Sequence, residues 1–136
     1  PNDHGLIRSD FPGGWEGDIV NGFTANGLNK EQRDMQVFLK SLLNFRKTSK
    51  AIKEGQTLHF VPFNGVYVLF RIHPEEIVML VLNKNEAAMN IQLNRFDELN
   101  LNGMQLENVL TKEISPWKDS LHLSKKGPYL FQLSRN

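Results

Sequence analysis

The chain has 136 residues, no cysteine, and 16 Lys+Arg against 15 Asp+Glu, a formal net charge of +1. This length holds one ordinary domain, or a small domain with an appendage. The missing cysteine excludes a disulfide scaffold, a thiolate zinc site and a cysteine nucleophile, and the balanced charge excludes a nucleic-acid backbone as main partner. No apolar run approaches the roughly 20 residues of a membrane-spanning helix. The sequence starts at Pro1 with no initiator Met and no signal-peptide pattern, so we expect a chain processed or cut from something longer.

Three zones follow in order. Residues 1–28 carry six of the ten glycines and show no sustained helical or alternating pattern. A stretch of this kind in a compact domain is usually functional or disordered, and its aromatics, Phe11, Trp15 and Phe23, argue against plain disorder. The second zone predicts a helix over residues 30–49. Asn29 and Gln32 have the capping-box spacing, and Glu31 suits the positive end of the helix dipole. Met35, Phe38, Leu39, Leu42, Leu43 and Arg46 recur at helical spacing, an apolar stripe ending in a long basic side chain. Such a stripe must be buried on something.

The third zone reads as strands: Thr57–Val61, Val66–Ile72, Ile77–Leu82, Met89–Leu93, Met104–Leu110, a short one near Ile114, Ser120–Leu123 and Pro128–Ser134. Asn64-Gly65 is a strong hairpin signal. Val66, Val68, Phe70 and Ile72 alternate with Tyr67, Leu69 and Arg71, whereas Ile77–Leu82 is almost continuously apolar, as in a strand buried on both faces or central in a sandwich. Short strands at intervals of about 10 residues, with no helical segment between them, indicate an antiparallel sandwich or barrel and exclude a parallel βαβ sheet.

A search for chemistry returns little. His4, His59, His73 and His122 have no metal-ligand spacing, and neither a G-x-S-x-G elbow nor a phosphate loop is present. Asp3, Asp10 and Asp18 cluster with His4 and Arg8 on the Gly-rich stretch. A carboxylate pair or a calcium site there is weighed against the simpler reading that Asp10 caps a turn or pairs with Arg8. Phe60, Phe70 and Phe131 fit core positions. Trp117, after Pro116 in an irregular stretch, is the candidate for a sugar-stacking platform, with Tyr67 and Tyr129 as further aromatics. No catalytic residue, metal or cofactor is called for by the residues themselves.

Arg8-Ser9-Asp10-Phe11-Pro12-Gly13-Gly14-Trp15, followed by Gly17-Asp18, resembles a segment of the neopullulanase and cyclomaltodextrinase branch of the α-amylase superfamily. There an R-x-D-F-P-G-G-W-x-G-D stretch follows the last strand of the catalytic (β/α)8 barrel. Leu42-Leu43-Asn44-Phe45-Arg46-Lys47 resembles the barrel's last helix, with Phe45 in place of the usual Trp. Phe60-Val61-Pro62, Asn64 to Val68, Phe70-Arg71 and Val78 to Asn83 resemble that family's C-terminal sandwich, domain C. Val109-Leu110-Thr111 matches its late V-L-T element, though Lys112 stands where a Gly often follows.

The resemblance implies a mainly β fold: an antiparallel Greek-key β-sandwich of domain C type, preceded by an irregular Gly-rich loop and one amphipathic α-helix. It divides the chain into a barrel remnant, residues 1–54 (loop 1–28, helix 30–49), and a sandwich, residues 55–136. It further implies a non-catalytic C-terminal portion of a retaining α-glucan hydrolase. The family's G-x-R-x-D nucleophile motif and its His-Asp pair are not in this sequence. Loops at the C-terminal ends of barrel strands build the active site, so Arg8, Asp10, Phe11 and Trp15 become candidate substrate contacts. The implied partners are the parent's own barrel and, through the parent, an α-glucan. Self-association through the helix stripe is expected of the piece alone. Export of the parent is favoured, with a cytoplasmic parent left open. Two rivals stand beside this reading: a starch-binding β-sandwich module and a protein-interaction domain.

Overall fold

The computed structural model describes residues 10–135. They belong to two compact units, Pro1–Leu42 and Leu43–Asn136. Arg8, His4 and Asp3 lie outside the described residues.

Helix α1 spans Lys30–Thr48. Its start is the expected capping box: Asn29 N–H donates to Gln32 Oε1 and Gln32 N–H to Asn29 Oδ1, both at 2.9 Å. No residue of α1 is buried, and Met35, Leu39 and Leu43 of the predicted stripe remain more than half exposed. The helix stops one residue earlier than the pattern suggested. Ser49 is extended (φ −68°, ψ 121°) and starts a second, short helix, α2 (Lys50–Glu54), by accepting from Ile52 N–H at 3.1 Å. Serine competes for backbone partners in this way, which is why it favours caps over helix interiors.

Eight strands follow: β1 (Gln56–Phe63), β2 (Val66–His73), β3 (Glu76–Asn83), β4 (Met89–Gln92), β5 (Met104–Asn108), β6 (Ile114–Pro116), β7 (Ser120–Leu123) and β8 (Gly127–Arg135). Six form an antiparallel sheet in the order β1-β2-β3-β8-β5-β6, and β4 pairs with β7 in a second sheet. The chain leaves the first sheet after β3, and β8 returns between β3 and β5. This is the antiparallel Greek-key sandwich that the sequence led us to expect. β1 and β2 are joined by a tight turn in which Asn64 (φ 47°) and Gly65 (φ 75°) both take the left-handed conformation. That twist suits a two-residue hairpin and explains the Asn-Gly pair.

Alternation sets the core. Val66, Val68 and Phe70 of β2, Met79 and Val81 of β3, Phe131 and Leu133 of β8 and Leu106 of β5 line the inner face, and Leu121 and Leu123 of β7 cover it. The continuous apolar run of β3 is explained by its central place and by α2. Its outward Val78 is 1 % exposed, and α2, whose Ala51 is fully buried, packs on β2 and β3.

One element departs from the expectation. Leu93, read as the end of a strand, instead opens a 3-10 segment, Leu93–Leu99. The segment is two short turns joined at a kink at Phe96 (φ −113°, ψ 18°), and Leu93, Phe96 and Leu99, three residues apart, all meet the core along it. Leu93 and Phe96 are buried in the core cluster and Leu99 packs against it. Strand β5 also ends early, at Asn108, because its side chain accepts from Leu110 N–H at 2.9 Å and Thr111 N–H at 3.1 Å and turns the chain.

Candidate functional site

The Gly-rich loop is ordered by its own side chains. Asp18 turns its carboxylate inward, where Oδ2 accepts from Gly13 N–H at 2.7 Å and Trp15 N–H at 3.2 Å. Asn21 Oδ1 accepts from Phe23 N–H at 2.9 Å and Thr24 N–H at 3.0 Å. Gly22 N–H closes the loop on Pro12 C=O at 2.9 Å, and Gln36 of α1 donates to Gly22 C=O. Gly27 has no alternative. A Cβ there would lie 2.5 Å from the Ile19 carbonyl oxygen.

The predicted contact residues can now be placed. Asp10 is exposed. Phe11 and Phe23 meet at a tilt of 59° with ring centroids 5.1 Å apart, yet both keep more than half their surface in solvent. Trp15 is 69 % exposed at the loop tip. Asp18 serves its own loop, and Arg8 lies outside the described residues. The loop therefore presents Phe11, Trp15 and Phe23 as an exposed aromatic group on a frame tied down by Asp18 and Asn21. Those two framing roles were not foreseen. Their signal was an Asx side chain two to five residues from a backbone donor in a Gly-rich turn.

The other predicted platform is differently placed. Trp117 is buried, 7 % exposed, edge-to-face with Phe96 at 6.3 Å between ring centroids. Phe96 in turn meets Phe60 at 4.7 Å and Phe70 at 5.4 Å. The ring faces of Trp117 are taken up by the core, which corrects its reading as a surface platform. Tyr129 lies parallel to Phe131, and its hydroxyl donates to Lys125 C=O at 2.7 Å. Tyr67 is half-buried beside His59. The exposed aromatic of the sandwich is Phe63, which the sequence reading passed over, with Arg95 stacked on it.

Sequence comparison meets this fold at its centre. The sequence model of a family described as the cyclo-malto-dextrinase C-terminal domain matches residues 57–132, from β1 into β8. The chain belongs to that family. Solved structures share the fold of this cyclo-maltodextrinase C-terminal domain. An α-amylase from Anoxybacillus is 16 % identical, with a TM-score of 0.67 over 81 % of this chain and 24 % of that one. An α-amylase from Geobacillus thermoleovorans, solved with acarbose, is 16 % identical over 81 % of this chain and 24 % of that one, with a TM-score of 0.66. The isomaltulose synthase from Klebsiella sp. is 20 % identical over 81 % of this chain and 20 % of that one, at 0.59. The chain spans about a quarter or less of the length of these proteins. The family match covers the sandwich; the loop and α1 precede it.

Proposed function

We propose that this chain is the non-catalytic C-terminal portion of an α-glucan-degrading glycoside hydrolase of α-amylase or neopullulanase type. In this reading residues 1–54 are the last loop and helix of a catalytic barrel, and residues 55–136 are a sandwich that supports it. The parent cleaves α-1,4-glucosidic bonds with retention, through carboxylates that lie outside this sequence. The observation that carries the reading is α1. Its apolar stripe holds no buried residue, while the sandwich buries a core cluster of its own drawn from both sheets. A helix written for burial and left in solvent is explained by a missing neighbour. The matched structures are much longer, this chain covering 24 % of each, and are consistent with one.

Phe11 and Trp15, held out by the Asp18 frame, would sit at the rim of the parent's cleft, together with Arg8 and Asp10. Met35, Leu39 and Leu43 would close the barrel wall. Alone, the same stripe would drive self-association, read as a concentration-dependent mass by light scattering. The test of function is incubation of the 136-residue chain with maltooligosaccharides and cyclodextrin. No turnover is expected. Turnover above background overturns the non-catalytic reading.

A further inference from the structure

The sandwich has an opening that its core does not fill. Beside the β1–β2 hairpin lies a pocket of about 250 Å³. Its floor is apolar, made by Val68 and Phe96, with Met89 and Ile91 on one wall. Its mouth is polar and partly aromatic. Phe63 stands 62 % exposed at the rim. Arg95 lies within cation–π distance of two rings, its guanidinium carbon 5.5 Å from the Phe63 centroid and 5.9 Å from that of Phe96. One of its nitrogens donates to Val61 C=O. The fork has further N–H donors to offer, and no carboxylate lines the pocket.

Two features complete the mouth. Asn64 lines it from the hairpin turn. Opposite, Asn90 and Gln92 of β4 line it, although their side chains alternate away from the core and Asn90 Oδ1 lies 2.9 Å from His122 Nδ1. They reach the pocket along the strand edge that β7 leaves unpaired, where backbone N–H and C=O groups need partners.

The set of groups defines the ligand. It offers the face of the Phe63 ring that Arg95 leaves free, neutral amides that both donate and accept, a guanidinium beside two rings, and an apolar floor. Hydroxyl groups also donate and accept, so they match amides and strand edges one for one. A fatty carboxylate would use the guanidinium and the floor and leave Asn64 and the β4 edge unmet. The volume is below the roughly 300 Å³ at which drug-sized sites begin, so one ring fits and a chain does not.

We infer that this pocket binds a single hexopyranose unit of an oligosaccharide, with its C–H face on Phe63 and its hydroxyls on Arg95, Asn64 and the free edge of β4. The site is separate from the Phe11–Trp15 loop. The choice of an α-1,4-linked probe rests on the function proposed above; the choice of a sugar does not.

The test is titration of the ¹⁵N-labelled chain, in separate runs, with maltotriose, cellotriose and octanoate. Maltotriose should give saturable amide shifts at Asn64 and across Asn90–Gln92 below about 10 mM. Phe63→Ala and Arg95→Ala should each weaken binding at least about tenfold, and Ile114→Ala, on the far edge strand, should not. Phe63 is exposed, so unchanged β8 amides in its variant will certify the fold. Binding of cellotriose but not maltotriose supports the sugar site and overturns the α-glucan reading. Binding of octanoate alone, no saturation with either sugar, or shifts indifferent to Phe63→Ala overturns the site.

Discussion

Ser49 and Glu76 meet across 27 positions of sequence: the Ser49 hydroxyl donates to Glu76 Oε2 at 2.8 Å. The same oxygen accepts from Ala51 N–H at 2.8 Å, and Gln132 Nε2 donates to Oε1 at 3.0 Å. One carboxylate on β3 therefore holds the start of α2 and ties it to β8. At the other end Arg71 donates to the Ala51 carbonyl at 3.1 Å and the Ile52 carbonyl at 3.0 Å. A five-residue helix has no stability of its own. It persists because both its ends are tied to the sheet.

Glu76→Ala should therefore cost about 1–3 kcal/mol, since it strands donors that are partly buried. Arg71→Lys should cost about 1–2 kcal/mol, because an ammonium cannot reproduce the fork. Urea midpoints with unchanged slopes will measure both. The pair acts on one helix, so the double variant should cost less than the sum. Strict additivity would show that the two ends of α2 are independent.

An exposed pair flanks this joint. Lys50 and Glu75 are hydrogen-bonded, which lowers the Glu75 pKa and raises that of Lys50, with attraction between the charges adding to each. The lowered Glu75 makes a contribution that is present above the ordinary carboxylate range and lost as pH falls through its lowered value. The raised Lys50 makes one that is present below the ordinary lysine range and lost as pH rises through its raised value. Lys50→Met should thus be slightly less stable than the parent chain near neutrality, and the two should converge below about pH 4. Salt should shrink the gap, both side chains being at least half exposed. A gap that persists in acid would mean that the lysine acts through packing.

The two tryptophans should behave as opposites. Trp117→Ala opens the aromatic cluster around Phe96 and should cost about 3–5 kcal/mol. Trp15→Ala removes a side chain that is mostly in solvent and should change stability by less than about 0.5 kcal/mol. Thermal unfolding followed by far-UV circular dichroism separates them. A large loss from Trp15→Ala would show that the loop tip is packed.

How far the sequence spoke depended on the kind of signal. Strict alternation in Val66–Phe70 and the Asn29–Gln32 spacing survive any tertiary context, because each rests on a backbone period. They placed the sheet and the helix start within a residue or two. Leu93–Leu99 was illegible because Met89, Ile91 and Leu93 also alternate, and only the packed core selects a 3-10 turn over one more strand residue. Trp117 misled because an irregular stretch after Pro116 looks like surface, while its backbone N–H donates to Met104 C=O at 2.8 Å and its side chain joins the core cluster. Phe63 was missed for a related reason. The predicted strand stops at Val61, and with Leu58 and Phe60 inward plain alternation would turn Phe63 outward; the pairing of β1 with β2 shifts between Phe60 and Phe63 and sets Phe63 opposite inward-facing Val66, where it remains mostly exposed. The Asp18 frame is legible only after the fact, since an aspartate in a Gly-rich loop looks the same whether it serves its own backbone or a substrate.

Lys112 offers the sharpest check of local conformation. It stands where related sequences were expected to carry glycine, and its backbone is left-handed, φ 65°. Its N–H donates to Asn108 C=O at 2.8 Å and closes the turn that Asn108 begins, so the conformation is imposed by the turn. A side-chain-bearing residue in that region costs about 1–2 kcal/mol, while glycine there costs up to about 1 kcal/mol in unfolded-chain entropy. Lys112→Gly also gives up an exposed bridge from its ammonium to Glu107 Oε1, which is worth little at the surface. The balance favours the substitution by about 0.5 kcal/mol, a rise in Tm of about 2 °C by calorimetry. Lys112→Ala keeps the strain and loses the bridge, so it should not rise at all. Equal effects from the two variants would show that the lysine side chain, not the left-handed backbone, sets the energy of this turn.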